Sequence, residues 1–399
     1  MWEDTLNIYE TREIRSKTTV YLGVGAIEKI DDITESLKSR GIGRILIITG
    51  KGAYKSTGAW DYVEAALKKN NIEYVLYSKV TPNPTANQVD DAVKAGREFK
   101  AEAVIGIGGG SPIDVAKSSA ILLEYSDKDC RDLYEFRFAP VKAVPVIAIN
   151  LTHGTGTEAN RFAVVSIPEK QYKPAIAYDC IYPLYSIDDP KLMTKLPRNQ
   201  SIYVSVDAVN HVIEASTSKV RSPYTILLAK ETVRLVSRYL PRVIDGPDDL
   251  AARYYLTYAS MIGGICFDNG LLHLTHALEH PLSAVKPDVT HGLGLSVLLP
   301  AIIKQIYPIM PEVLADVLTP VAGHPKGVPE EAEKVSDYVK QWLRGVMITQ
   351  TLSNLGFTED DVDNLTDLAF DTPSLGLLLS MAPMEATREV VRQIYMDSL

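Results

Sequence analysis

Short apolar runs alternate with amphipathic stretches in the first half of the chain. The apolar runs predict buried strands, and the stretches with apolar residues at i, i+3 and i+4 predict helices. The predicted strands are residues 44–49, 74–78, 103–107 and 144–149, and the predicted helices are residues 60–70, 87–99 and about 113–123. This alternation predicts a parallel, doubly wound sheet that binds ligands at the carboxyl ends of its strands.

The pattern changes after a segment rich in proline and aspartate. Residues 188–190 read Asp-Asp-Pro and residues 196–198 read Leu-Pro-Arg, which indicates a boundary near 190–200. Beyond it, long helical patterns cover residues 202–216, 223–239, 250–266 and 271–284. We therefore predict an α/β N-terminal domain over residues 1–192 and an all-helical domain over residues 193–399.

Composition and charge exclude several classes of protein. A chain of 399 residues with 46% hydrophobic and 23% charged residues is typical of a globular protein large enough for two domains. The net charge of −9 would repel a phosphate backbone, so we expect no nucleic-acid partner. The longest apolar stretches, residues 293–303 and 375–381, are shorter than the ~18 residues that a membrane span needs, so no membrane association is expected.

The cysteines and residues 1–7 indicate the cellular compartment in which the protein is expected to work. The 3 cysteines are far apart and form no Cys-x-x-Cys pair, which argues against a disulfide scaffold and a thiolate zinc site. Residues 1–7 show no basic region followed by an apolar stretch, so they do not resemble a secretory signal. We expect a cytoplasmic, reducing environment.

A glycine-rich loop stands between a predicted strand and a predicted helix. Residues 106–117 read Gly-Ile-Gly-Gly-Gly-Ser-Pro-Ile-Asp-Val-Ala-Lys. Glycines let a backbone approach a pyrophosphate, and the free N–H groups of a helix N-terminus attract its charge. Ser111 replaces the third glycine of the usual dinucleotide fingerprint, so a tight turn without a ligand is the alternative. The placement, with Pro112 suited to a first helical turn, favours a phosphate site.

The end of the first predicted strand bears on the choice of cofactor. Domains that select NAD usually place a carboxylate here, against the ribose 2′-hydroxyl. This chain instead has Gly50, followed by Lys51 and then Lys55. Since two cations replace the carboxylate that would repel a 2′-phosphate, we expect NADP, with NAD as the alternative. Solvated surface lysines without a partner are the other interpretation.

Histidines are concentrated in one window. Four of the 7, His273, His276, His280 and His291, lie within 19 residues, where even scatter would place roughly 0.3 of one. The first three have the spacing of one helix face, and His291 follows in a predicted loop. A row of imidazoles among apolar residues is difficult to satisfy without a metal or a substrate.

A carboxylate and an imidazole at i, i+4 form a second candidate site. Asp207 and His211 lie on one face of a mostly apolar predicted helix, an arrangement that suits a divalent metal. A buried hydrogen bond between them is the alternative. Spacing alone does not choose between His273, His276 and His280 as further ligands.

Taken together, these motifs resemble those of the iron-containing (group III) alcohol dehydrogenases, in order and over nearly the whole chain. The segments that carry the resemblance are Thr-Pro-Asn-Pro at 81–84, the loop at 108–117, Gly-Thr-Gly-Thr-Glu at 154–158, Val-Asp-Ala-Val-Asn-His at 206–211, His-Ala-Leu-Glu-His-Pro-Leu at 276–282, and His-Gly at 291–292. The resemblance implies a Rossmann-like N-terminal domain and a helical C-terminal domain, as in dehydroquinate synthase, with a catalytic cleft between them.

The resemblance also implies roles for individual residues. The metal ligands would be Asp207, His211, His276 and His291, and His280 would be a catalytic residue beside the substrate. The implied cofactor contacts are Gly50, Gly108, Gly109, Gly110, Ser111, Asp114, Lys117, Thr152, Thr155 and Lys173. The implied reaction is metal-dependent hydride exchange between NADP(H) or NAD(H) and a small primary alcohol or aldehyde, carried out by a homodimer.

Alternatives remain for the metal and the activity. Four protein ligands plus a substrate suit Fe²⁺, and zinc is a second candidate occupant. A glycerol or diol dehydrogenase of the same superfamily and a non-catalytic nucleotide-binding sensor are the competing activities. The chain also departs from the family, because residues 150–155 read Asn-Leu-Thr-His-Gly-Thr where many members read Pro-Thr-Thr-Ala-Gly-Thr, and the stretch from His280 to His291 is slightly long. His153 and His273 receive no role from the sequence.

Overall fold

The computed structural model of the chain describes residues 2–7 and 9–399, apart from the side chains of Asp4 and Thr5. Met1, the first residue of the segment considered above as a signal, lies outside the described residues. The strands are β1 Thr19–Leu22, β2 Arg44–Gly50, β3 Glu73–Val80, β4 Ala103–Gly108, β5 Val146–Asn150, β6 Phe162–Val164, β7 Ala175–Ala177 and β8 Tyr185–Asp188.

The α-helices of the first half are α1 Ile30–Ser39, α2 Ala53–Ser56, α3 Ala59–Lys69, α4 Ala86–Phe99, α5 Gly110–Glu124 and α6 Cys130–Tyr134. Those of the second half are α7 Arg198–Thr217, α8 Pro223–Asp245, α9 Leu250–Gly270, α10 Leu274–Val285, α11 His291–Ile306, α12 Pro311–Ala322, α13 Ala332–Gly345, α14 Glu359–Asp371, α15 Leu375–Met381 and α16 Arg388–Asp397. No described helix is both long and apolar enough to span a lipid bilayer.

Six strands form one parallel sheet in the order β1-β8-β5-β4-β2-β3. Both faces are covered, because alternate residues of β2 enter different cores: Ile45 and Ile47 pack in one cluster, Leu46 and Ile48 in the other. Strands buried on both faces are apolar without interruption, which is why the sequence pattern revealed the central strands clearly. The predicted parallel α/β sheet is confirmed.

Helices make up the second half, and the predicted fold class is confirmed. Helix α7 lies at its centre, with nearly every residue from Ser201 to Thr217 buried. A helix that is buried all round must be surrounded by other elements, and α8, α9 and α11 pack against it. Chemistry-bearing side chains on α7 are therefore held in a rigid, water-poor environment.

The chain around the histidines differs from the prediction. The helix expected at 271–284 begins only at Leu274, because Leu271 adopts a positive φ of 60° and His273 is the N-cap. The Nδ1 atom of His273 accepts the Leu274 N–H at 2.7 Å. The prediction that His273 shares a helix face with His276 is therefore wrong. His291 is also not in a loop, since it is the first residue of α11.

Candidate active site

Asp207, His276 and His291 converge between α7, α10 and α11. Each offers one ligand atom, and these atoms lie within 4.8 Å of one another. The Nε2 atom of His211 lies 3.4 Å from Oδ1 of Asp207, and its ring stacks on that of His276 with 4.7 Å between centroids. The structure therefore brings together all four residues that the family resemblance implied as metal ligands.

The polar atoms of this group suit a metal. Within the described residues, Oδ1 of Asp207 and Nε2 of His276, 3.6 Å apart, are buried and have no hydrogen-bond partner. A buried polar atom without a partner is destabilising, so such atoms on converging side chains indicate a missing ligand. One carboxylate and three imidazoles form a donor set that binds a first-row divalent ion. The residues present fit the metal.

Glu214 orients His276 and was missed by the sequence reasoning. Its Oε2 atom contacts Nδ1 of His276, and its Oε1 accepts the backbone N–H groups of His273 at 3.0 Å and Thr275 at 2.7 Å. One buried carboxylate thus holds both the imidazole and the N-terminus of α10. A signal existed, because Glu214 follows Asp207 by seven residues and so lies on the same face of α7.

Electrostatics at His276 favour a bound cation. Burial alone lowers the pKa of an imidazole, but Glu214 and Asp207 outweigh that effect and raise the pKa of His276 to about 9. Although burial would raise the pKa of Glu214, its contact with His276 lowers it to about 2. The site therefore has a negative field at its centre, which stabilises positive charge there.

His280 follows His276 by one turn of α10 and faces the same centre. Its ring lies 5.7 Å from that of His291 and 6.3 Å from that of His276. Its Nδ1 donates to the backbone carbonyl of Lys173 at 2.7 Å, because a carbonyl oxygen can only accept. Burial, and next the charge of Lys173, hold the pKa of His280 well below its usual value. A neutral imidazole with a free Nε2 lone pair is therefore present beside the ligands.

The glycine loop lies where the phosphate site is expected. Gly50, Gly108 and Asn150 end the adjacent strands β2, β4 and β5 at the same edge of the sheet. A Cβ on Gly109 would lie 2.8 Å from Cγ2 of Thr152, and a Cβ on Gly110 would lie 2.9 Å from Cγ2 of Thr155. Residues 152–155 therefore pack directly on the loop.

Ser111 lies in the first turn of α5, directly after these glycines, and is half-buried. It lies at the same edge of the sheet as Gly50, Thr152 and Thr155, and the implied cofactor contacts of these residues stay predictions.

Two of the residues implied as cofactor contacts, Asp114 and Lys117, bind protein groups through their side chains. Lys117 is fully buried, and its Nζ donates to the carbonyls of Thr157 at 2.6 Å, Asn160 at 2.9 Å and Phe162 at 2.7 Å. Asp114 accepts from the Thr157 hydroxyl at 2.8 Å and the Val164 N–H at 3.0 Å. Both side chains hold residues 157–164, and their implied contact with the cofactor stays a prediction.

Lys173 is another residue implied as a cofactor contact, and that contact also stays a prediction. Its Nζ lies 2.7 Å from Oγ of Ser283 and 3.3 Å from Oε2 of Glu279. It lies against α10, beside the metal ligands, and not at the glycine loop. The sequence offered no signal for this placement, because Lys173 and Glu279 are more than 100 residues apart.

His153 joins the loop after β5 to two helices of the second half. Its Nδ1 lies 3.2 Å from Oγ of Ser205 on α7, and its Nε2 lies 2.7 Å from Nη1 of Arg253 on α9. Arginine only donates, so Nε2 must be the acceptor and the ring must be neutral. Burial, followed by the charge of Arg253, lowers the pKa of His153 to about 3.

We expect His153 to make stability depend on pH. An unfolded histidine titrates near 6.5, so the unfolded state alone takes up this proton as the pH falls from about 6.5 to about 3, and stability is lost in that window. The loss is about 1.4 kcal/mol per pH unit. Urea unfolding of the wild type and of His153→Gln, whose amide accepts from Arg253 without titrating, should show a shallower pH slope in the variant. Equal slopes would contradict this assignment.

Comparisons with known proteins agree with the geometry. Residues 17–190 match the family described as iron-containing alcohol dehydrogenase, and residues 201–399 match the C-terminal part of the same family. The chain is 60% identical over 398 residues to a long-chain primary alcohol dehydrogenase of Thermoanaerobacter ethanolicus, with 100% of each chain covered. It is also 30% identical to long-chain-alcohol dehydrogenase 1 of Geobacillus thermodenitrificans, covering 94% of this chain and 93% of that protein.

Solved structures are similar over the same extent. The crystal structure of an NADH-dependent butanol dehydrogenase from Thermotoga maritima has a TM-score of 0.89 and 31% identity, covering 98% of each chain. An archaeal alcohol dehydrogenase from a Red Sea brine pool has a TM-score of 0.91 and 27% identity, covering 98% of this chain and 100% of that one. The resemblance predicted from the motifs is confirmed, and the chain belongs to the iron-containing alcohol dehydrogenase family, whose members are oxidoreductases that act on alcohols.

Proposed function

We propose that the chain interconverts a primary alcohol and its aldehyde at one divalent ion held by Asp207, His211, His276 and His291. The observation that carries the proposal is the convergence of unpartnered, buried ligand atoms on Asp207 and His276 beside His291. Four protein ligands with room for a substrate favour Fe²⁺ as the native ion, and zinc is the second candidate.

When bound, the metal would polarise the substrate oxygen as a Lewis acid, and the nicotinamide would exchange a hydride with the substrate carbon. His280 accepts the proton that the alcohol loses. Because its Nδ1 donates to the carbonyl of Lys173, its Nε2 accepts the hydroxyl proton of the alcohol and returns it to the aldehyde oxygen in the reverse reaction. The ring stays oriented throughout, since the Lys173 carbonyl does not titrate.

Aromatic side chains beside the ligands support an aliphatic substrate. The ring of Phe267 stacks on His211 at 4.5 Å, and Phe162 meets Phe267 edge-on at 5.3 Å. Apolar walls next to the reacting centre exclude water and favour hydrocarbon over a polar diol. Two relatives are named for long-chain alcohols, so the range of substrates to test extends from short to long aliphatic chains.

The test is an assay of the anaerobically purified chain. Metal content is measured first, and oxidation of NADPH or NADH is then followed with primary aldehydes of increasing length and with glyceraldehyde. We expect about one iron per chain and the highest kcat/KM with an aliphatic aldehyde. The absence of both metal and turnover would overturn the proposal.

For the cofactor, we propose that the edge formed by Gly50, Gly108–Ser111, Thr152 and Thr155 binds NADP(H). Exposed Lys51 follows β2 directly, and exposed Lys55 lies in α2. The segment that joins β2 to α2 contains no carboxylate that would repel a 2′-phosphate.

We expect Lys51→Glu to lower kcat/KM for NADPH by about tenfold and to leave that for NADH nearly unchanged. The reason is the loss of one attractive charge and the gain of one repulsive charge toward a 2′-phosphate. Steady-state kinetics with both cofactors measure the ratio, and Lys340→Glu, an exposed lysine of α13, controls for net charge. An equal effect on the two cofactors would contradict the NADP assignment.

The proposal also includes the division of the chain and its state in the cell. We propose that residues 1–192 bind the cofactor and residues 193–399 hold the metal, and that the protein acts as a cytoplasmic homodimer. Within the described residues, strand β1 lies at one edge of the sheet and pairs only with β8, so that edge offers a second chain a place to pair. Light scattering coupled to size exclusion would give a dimer mass if this is correct and a monomer mass if it is not.

A further inference from the structure

A second group of ligating side chains lies beside the first. Ligand atoms of Glu279, His280 and His291 lie within 4.8 Å of one another, and His291 belongs to both groups. In the described chain, Oε1 of Glu279 is buried and has no hydrogen-bond partner. One carboxylate and two imidazoles are a sufficient donor set for a divalent ion. By ligand type alone, the centre would therefore hold two metals.

An ammonium group already lies at the second position. The Nζ atom of Lys173 is 3.3 Å from Oε2 of Glu279, 3.3 Å from Nδ1 of His291 and 2.7 Å from Oγ of Ser283. The carbonyl of the same residue accepts from His280. Lys173 thus contacts all three members of the second group, and its side chain is only 5% exposed.

The contacts also connect Lys173, through Glu279, to His291, a proposed metal ligand. Oε2 of Glu279 contacts both Nζ of Lys173 and Nδ1 of His291. A carboxylate on the far nitrogen of a ligating imidazole sets the orientation and basicity of the ring. Gly294 leaves space for this carboxylate, since a Cβ there would lie 2.9 Å from Cγ of Glu279.

The charges balance with one metal and one lysine. Three carboxylates, Asp207, Glu214 and Glu279, are buried around the centre. A divalent ion and the ammonium of Lys173 together supply the matching three positive charges. Since uncompensated buried charge is strongly destabilising, removal of the ammonium leaves a carboxylate that requires another cation.

We propose that Lys173 takes the place of a second metal ion. It is a positioning residue that neutralises Glu279, keeps that carboxylate on His291, and limits the centre to one divalent ion per chain. This inference rests on the proposed metal site at Asp207, His211, His276 and His291. The side chain of Lys173 would act on the metal centre through Glu279 and His291, whereas its backbone carbonyl orients His280.

The test is a zinc titration of the full-length, metal-stripped chain. Calorimetry and elemental analysis after gel filtration should give about one Zn²⁺ for the wild type and about two for Lys173→Ala. Lys173→Met fills most of the lysine volume and should also bind two, which preserves the test if the alanine variant does not fold. Lys173→Arg should restore one ion, because it restores the cation.

The double variant Lys173→Ala/Glu279→Ala identifies the second site, because without the carboxylate the count should return to one. Co²⁺-loaded Lys173→Ala should show two ions coupled in its electron paramagnetic resonance spectrum, whereas the wild type should show one isolated ion. A folded Lys173→Met that binds one zinc or none, or a wild type that binds two, would overturn the inference. A wild type that binds none would instead overturn the proposed metal site.

Discussion

Substitution of His276 with alanine is expected to abolish metal binding and to lower kcat/KM by about 10³-fold or more. His276 contributes a ligand atom that faces Oδ1 of Asp207 at 3.6 Å, and it is held by Glu214 on its other nitrogen. Its loss removes one of four ligands and leaves Glu214 as a buried carboxylate without its imidazole. Both effects lower the affinity of the site for a divalent ion.

Metal content and steady-state turnover of the purified variant measure this effect. The proposed cofactor site lies at the sheet edge, so we expect the variant to bind NADPH with an unchanged Kd, measured by the change in fluorescence on binding. His324→Asn is the control, because His324 is exposed and asparagine tolerates its φ of 59°. Retention of both metal and full turnover by His276→Ala would show that the site assignment is wrong.

Substitution of Gly109 with alanine should weaken cofactor binding and leave metal binding unchanged. A Cβ at this position would lie 2.8 Å from Cγ2 and 3.0 Å from Oγ1 of Thr152, closer than two such atoms pack. The loop at 152–155 must then move away from the glycine triplet, which widens the proposed phosphate site. We expect the Kd for NADPH to rise by about 10²-fold, equivalent to about 3 kcal/mol, while metal content stays at the wild-type level.

Equilibrium binding of NADPH and metal analysis together test this separation. Gly345→Ala is the matched control, because a Cβ there, at the end of α13, has nothing within 4 Å. An unchanged Kd in Gly109→Ala would exclude the loop as the phosphate site. We expect His276→Ala to impair metal binding and Gly109→Ala to impair cofactor binding, so the two variants test the two proposed sites separately.

Most of the fold was predictable because the signals are local. Strands β2, β4 and β5 are buried on both faces and therefore continuous in apolar residues, which the sequence shows directly. Strands β1, β6 and β7 have only three or four residues and are partly exposed, so no pattern identified them. Strand β8 has only four residues and ends where the segment rich in proline and aspartate begins.

The candidate ligands were also predictable, but their surroundings were not. Asp207 and His211 share a helix face by spacing alone, whereas the choice of His276 over His273 required the family resemblance and then the break at Leu271. Glu214 carried a local signal that was overlooked. Nothing in the sequence indicated the contact between Glu279 and Lys173, because it joins α10 to the segment between β6 and β7.

The sequence by itself determined the central strands and the long helices, which residue types cluster near one another, and which family the chain resembles, because helical and strand periodicity are properties of neighbouring residues. Only the tertiary structure decided where buried charges go. Lys117 and Lys173 look equivalent in the sequence, yet the first binds carbonyls beneath the cofactor loop and the second neutralises Glu279 beside the metal ligands. A buried ammonium must find acceptors wherever packing places it, and packing is decided by the whole chain.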